Sequence, residues 1–195
     1  MSVDVVRRLF TAEQFFQMIA TGILTKYDHV ELLEGEILEM APIGLGHPAC
    51  TANLLRIFIL GIDGRGIVWP SGTIHLSDRS APQPDLAVLR PNQRKYRDAY
   101  PVPEDVLLLV EISDSSLRRD RELKLPLYAH AGIQEYWIVD VRDEVVDVYT
   151  SPANLNYASA RTFRRGDVVS PAAFPDLALA GELPFSIEDI VHRES

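Results

Sequence analysis

The apolar positions along the chain change their period several times, and each change marks an element. Thr11-Ala12-Glu13-Gln14 has the form of a capping box, in which a threonine hydroxyl and a glutamine side chain satisfy free amides, and it predicts a short helix to about Thr21. From Val30 to Met40, apolar residues alternate with Glu31, Glu36 and Glu39 around Glu34-Gly35, the pattern of a β-hairpin. Pro42 and Gly44 then break the chain. Leu54, Leu55, Phe58 and Ile59 recur at helical spacing, so His47 to about Ile62 reads as the first substantial helix. Short strand-like segments follow at Ile67–Trp69, Thr73–Leu76 and Leu86–Leu89, separated by Pro and Gly.

Val106–Ile112 is nearly continuous Val, Leu and Ile, which suits a central strand covered on both faces. Leu117 to Gly132 reads as a helix with Leu123, Leu127, Tyr128 and Ala131 on one face and Gly132 as its stop. Pro126 lies inside it and deprives the Glu122 carbonyl of its amide partner, which predicts a kink or a division there. Strands are expected at Glu135–Val141 and Val145–Tyr149, joined around Arg142-Asp143, with another near Thr162 and a short helix capped by Ser186. No repeat or linker divides the 195 residues. The expectation is one α/β (α+β) domain: an N-terminal helix and hairpin over 1–45, a core over 46–150 and a C-terminal extension over 151–195.

Composition narrows the function classes. Apolar content of 47% and charged content of 24% are ordinary for a folded domain. No apolar run approaches the roughly 20 residues of a membrane span, and the N-terminus lacks a secretory apolar region, so a cytoplasmic protein with no membrane partner is expected. Cys50, the single cysteine, reads as a small buried apolar residue. A net charge of −9 opposes general attraction to nucleic acid, so any such contact must come from a local basic patch. Three basic clusters exist: Arg94/Lys95/Arg97, Arg118/Arg119/Arg121/Lys124 and Arg161/Arg164/Arg165. The second adjoins the candidate chemistry, and its Arg118, Arg119 and Arg121 are the expected nucleic-acid contacts.

That chemistry lies in Asp85 after Pro84, Glu111 at the end of the most apolar strand, and Lys124 on the following helix. Two carboxylates on adjacent strands can share a hard divalent cation, and the Ile112 carbonyl can add the further oxygen that Mg2+ (or Mn2+) favours. Such an ion polarises a phosphate and acidifies a bound water, while a nearby lysine orients that water or stabilises developing charge. Glu111 follows Leu107–Val110, where a carboxylate is costly to bury without a cation or donors. The bland alternative is a salt bridge to Arg118 or Arg121.

The stretches Glu31–Glu36 (ELLEGE), Gln83–Val88 (QPDLAV), Val110–Ser113 (VEIS) and Asp120–Lys124 (DRELK), with Tyr128-Ala129 and Gly132–Trp137 (GIQEYW), resemble the Uma-two family of restriction-type endonucleases over roughly Thr11 to Ile190. The resemblance implies a PD-(D/E)xK, restriction-endonuclease-like core, with a mixed central sheet of about four strands flanked by helices and with Asp85 and Glu111 as metal ligands. In the wider superfamily the lysine sits two residues after the second acid, where this chain has Ser113. The resemblance therefore implies that Lys124 takes that role, with Glu31 as an additional acidic contact and His47 as a phosphate contact at its helix start. His75 and His130 have no partner at metal-ligand spacing, and Tyr136 and Trp137 read as core.

The expected activity is a magnesium-dependent endonuclease acting on DNA, as a homodimer or higher homo-oligomer because two strands need two sites. The alternatives are a catalytically silent nuclease fold that binds nucleic acid or assembles, and a hydrolase of small phosphoesters. Nothing in the chain reads as a base-recognition module.

Overall fold

The computed structural model describes residues 6–180 apart from 26, 41–43 and 45. The short helix expected at Ser186 and the break expected at Pro42 lie outside the described residues. The capping box forms as the sequence predicts: the Gln14 amide donates to the Thr11 hydroxyl and the Thr11 amide to the Gln14 side chain, opening α1 (Ala12–Ala20). The hairpin consists of β1 (Val30–Leu33) and β2 (Glu36–Glu39), turned by Glu34 and Gly35 at φ 50° and 87°. Positive φ at both central residues is what a two-residue hairpin turn requires.

α2 (Gly46–Ile62) buries Cys50, Leu54, Phe58 and Ile62, spaced four apart, against one face of a six-stranded sheet. The sheet order is β3 (Ile67–Pro70), β4 (Leu86–Leu89), β5 (Val106–Ser113), β6 (Glu135–Asp140), β7 (Val145–Ala153), β8 (Asn156–Arg164). All neighbours are antiparallel except β5 and β6. A parallel pair needs a crossover. Here it is 114–134, which carries α3 (Leu117–Arg119), a π-helical turn (Asp120–Lys124) and α4 (Leu125–His130) over the opposite face. A two-stranded ribbon of β9 (Val168–Val169) and β10 (Leu179–Ala180) completes the described chain.

Strand alternation sorts β5 between the two helical layers. Leu108, Val110 and Ile112 pack under α2, whereas Leu109 joins Leu125, Tyr128 and Ala129 of α4. Glu111 shares the parity of Leu109, so its side chain is delivered beneath α4. Both faces of β5 are covered, as its continuous apolar run implies, and Tyr136 and Trp137 are fully buried in the two cores.

One expectation changes and two gain detail. Thr73–Leu76 is extended but forms no strand: Ile74 donates to the Pro82 carbonyl, and Pro82 has no N–H to return. The kink or division expected at Pro126 within 117–132 takes the form of a widened turn rather than a gap. The Leu125 amide donates to the Asp120 carbonyl five residues back, forming a π turn immediately before Pro126. Finally, the expected core of about four central strands lies within a sheet of six, in which β7 continues past residue 150 and β8 pairs along its length.

The hairpin docks through a pair of backbone hydrogen bonds between Leu32 and Ala81 and through Gly35, whose amide donates to Arg79 and whose carbonyl accepts from Phe10. A Cβ at Gly35 would stand 2.7 Å from Leu9 Cβ. Gly35→Ala is therefore expected to destabilise the protein by at least about 1–2 kcal/mol, from the left-handed backbone alone. Equilibrium urea unfolding measures it, and a loss below a few tenths would contradict this account.

Candidate functional site

Asp85 immediately precedes β4, at the point where the ladder with β5 stops at Leu86–Val110. Its Oδ2 accepts the Ile112 amide at 2.7 Å, so the side chain takes up the donor that the next rung would have used. Its Oδ1 lies 3.0 Å from His47 Nε2 in the first turn of α2. That contact, ahead of the opposing effect of burial, raises the His47 pKa above its ordinary value.

Glu111 is 3% exposed, and its Oε1 accepts from Lys124 Nζ at 2.9 Å and from the Tyr128 hydroxyl at 2.8 Å. The same Nζ lies 3.2 Å from Glu31 Oε2, which also accepts the Gln83 amide. Glu31 is wholly buried on β1, not an exposed strand residue, and its Oε1 is buried without a hydrogen-bond partner. Asp120, 2% exposed, stands one helical turn before Lys124 and accepts from Ser113 Oγ at 2.5 Å and Ser116 Oγ at 2.7 Å. The π turn presents Asp120 and Lys124 together to the sheet. Apart from Tyr128 and Ser113, these groups line one cavity of about 840 Å³.

Glu111, Glu31 and Asp120 thus act together on one buried ammonium. Desolvation, with repulsion from Asp120, Asp85 and Glu31, raises the Glu111 pKa well above the usual carboxylate range despite Lys124. Burial likewise raises Asp120, against the lowering effects of Lys124 and the two serines. For Lys124, burial opposes the charge, but Glu111, Glu31 and Asp120 together outweigh it and hold the ammonium protonated.

The structure thus brings together Asp85, Glu111, Lys124, Ile112, Glu31 and His47 around the cavity. Of the three arginines expected there, only Arg119 lines it, donating to the Glu39 carbonyl at 2.9 Å and standing 3.9 Å from Glu31. Arg118 points outward and pairs with Glu122 one turn on, and Arg121 pairs with Asp147 of β7. Neither reaches Glu111, so the alternative salt bridge is replaced by one to Lys124. Asp120 and the positions of Tyr128 and Gln83 were missed as functional contacts. The four-residue spacing of Asp120 and Lys124 was the available signal for the first.

The mixed six-stranded sheet between helical layers, with acids and a lysine gathered where β4 and β5 part, defines a nuclease-like α/β fold. A solved structure described as a "putative nuclease belonging to DUF820", from Anabaena variabilis ATCC 29413, is similar to it with a TM-score of 0.68, covering 90% of this chain and 97% of that one at 15% identity. No curated protein matches the chain. Residues 12–182 match the model of the Uma2 family, described as "Putative restriction endonuclease", and the chain belongs to that family.

Removing the shared cation should be severe. Lys124→Met is expected to cost roughly 3–5 kcal/mol near neutral pH, the usual consequence of breaking a buried ion pair from one side. Chemical denaturation measures it, and a cost under about 1 kcal/mol would mean that the acids do not depend on the lysine. Acidification of the wild type should act the other way. Glu111, Asp120 and His47 all bind protons more tightly folded than at their ordinary values of 4.5, 3.8 and 6.5. Their contribution is complete below those unfolded values and is lost as pH rises through the folded ones. The Tm of metal-free protein is therefore expected to fall as pH is raised from about 5 to about 8. A rising Tm over that interval in a thermal-shift series would contradict the arrangement.

Proposed function

We propose that the protein is a metal-dependent nuclease that hydrolyses phosphodiester bonds of DNA with Mg2+ or Mn2+. The observation that carries this reading is the surplus of buried carboxylate around Lys124, together with Glu31 Oε1, which accepts no hydrogen bond and has Arg119 only at 3.9 Å. The residues fit a hard divalent ion: their donors are oxygens, and the excess negative charge is what such an ion neutralises. Among the described residues no three His, Cys, Asp or Glu side chains are grouped to hold an ion by themselves. The fitting set is therefore two carboxylates, Asp85 and Glu111, with the Ile112 carbonyl and water, the sparse protein ligation common for magnesium. When bound, the ion supplies phosphate polarisation and an acidified water.

The chain's own groups have separable tasks. The Ile112 amide and His47 fix Asp85, and the Tyr128 hydroxyl fixes Glu111. Glu31 and Glu111 hold Lys124 from two sides, where a permanent positive charge stabilises charge developing on a phosphate. Arg119 at the side of the cavity provides a phosphate contact.

Asp85→Asn and Glu111→Gln are each expected to reduce manganese-dependent DNA hydrolysis on the order of 10²-fold or more while circular dichroism shows a folded chain. Activity that survives both substitutions would sink the reading. A second reading, a silent nuclease fold, is favoured by Glu111 Oε1 already being taken by Lys124 and Tyr128. Calorimetric titration with manganese separates the two: binding that Asp85→Asn removes supports the nuclease, and no carboxylate-dependent binding supports the silent fold.

A further inference from the structure

The cavity has walls that the hydrolytic chemistry does not use. α1 and the segment after it supply an apolar part of the wall with Phe15, Ile19 and Leu24, and Thr73 and Gln83 supply a polar part. Glu31, Asp120, Glu111 and Lys124 are no more than 5% exposed and lie deepest, while the Asp85 side chain is 24% exposed. Its volume falls within the roughly 300–1,000 Å³ of pockets that enclose a small ligand. A duplex presents its phosphates outward but keeps its bases stacked, so it can offer this cavity a phosphate and no base unless a nucleotide leaves the stack, which costs a few kcal/mol, as in enzymes that flip bases. An unpaired nucleotide already has a free apolar face for one part and a polar base edge for the other.

Charge points the same way. Duplex binding depends on many phosphate contacts, and each neutralised phosphate adds to the affinity. Among the described residues, Lys124 and Arg119 are the lysine and arginine that line the cavity, Arg118 and Arg121 are paired elsewhere, and the chain carries −9. Apolar contact between a base face and Ile19 and Leu24 does not need that basic surface.

We propose that the cavity receives one unpaired nucleotide of a single strand, its base against Ile19 and Leu24 and its phosphate toward Asp85 and Lys124, and that continuous duplex is not the substrate. This rests on, and sharpens, the nuclease reading. It also makes one site sufficient, so no second copy is needed for cleavage.

The test uses the full chain with a short single-stranded oligonucleotide, the blunt duplex of the same sequence and a small chromogenic phosphodiester. Binding is read by fluorescence anisotropy with calcium and cleavage with manganese, at one salt concentration. The single strand is expected to be bound and cut at least about tenfold better than the duplex. Ile19→Asp, at a position 39% exposed, is expected to erase that preference, and Leu24→Ser serves as the second variant if the first unfolds. Duplex bound and cut as well as single strand overturns the proposal. Turnover of the small phosphodiester without binding of either oligonucleotide also overturns it, in favour of a small-phosphoester hydrolase. Selective, Ile19-dependent binding of the single strand without cleavage upholds the occupant and overturns the nuclease reading instead.

Discussion

A buried ammonium joins the three parts of the molecule that make the site. Lys124 comes from the crossover helix, Glu111 from the central strand and Glu31 from the N-terminal hairpin, and its Nζ lies within 3.2 Å of both carboxylates. Burying charges costs several kcal/mol per ion unless each meets a partner. The hairpin therefore cannot leave without stranding Lys124 in part, and the helix cannot turn without stranding two acids. The charge that prepares the cavity for chemistry also holds its walls in register.

The π turn is the backbone feature that makes this possible. Pro126 would break an ordinary helix by leaving a carbonyl unpaired and crowding the preceding turn. Widening the turn over 120–124 absorbs the fault and leaves Asp120 and Lys124 buried side by side against β5. π turns are frequently found at functional sites. Ser113 at the end of β5 donates its hydroxyl to Asp120. The end of β5 is thereby tied to the same turn that supplies the lysine from the other direction.

Much of the fold was legible because local chemistry agrees with it. The Thr11 capping box, the Glu34-Gly35 turn and the apolar run of β5 each state their element in a few residues, and Gly132 ends the crossover helix at φ 80°. The non-strand at Thr73–Leu76 was misread because its composition suits a strand while its neighbour, Pro82, lacks the donor a ladder requires. At the site, Glu111 could be singled out from its apolar surroundings alone. The arginines could not be sorted: Arg118, Arg119 and Arg121 look alike in sequence, and only the helix's rotation separates the one at the cavity from the two held by Glu122 and Asp147.

The amino-acid sequence by itself determined the order of the elements, the central place of β5 and the chemical identity of its acids and lysine, because these follow from short-range periodicity and from the cost of an acid in an apolar strand. Which groups meet was decided only by the tertiary structure. Glu31 and Glu111 are far apart along the chain, yet both reach Lys124 because the hairpin docks through Ala81 while the parallel β5–β6 pairing forces the intervening helix across the sheet. Long-range pairing of this kind leaves no period in the sequence. It comes from the requirement that every buried charge and every buried amide find a partner at once.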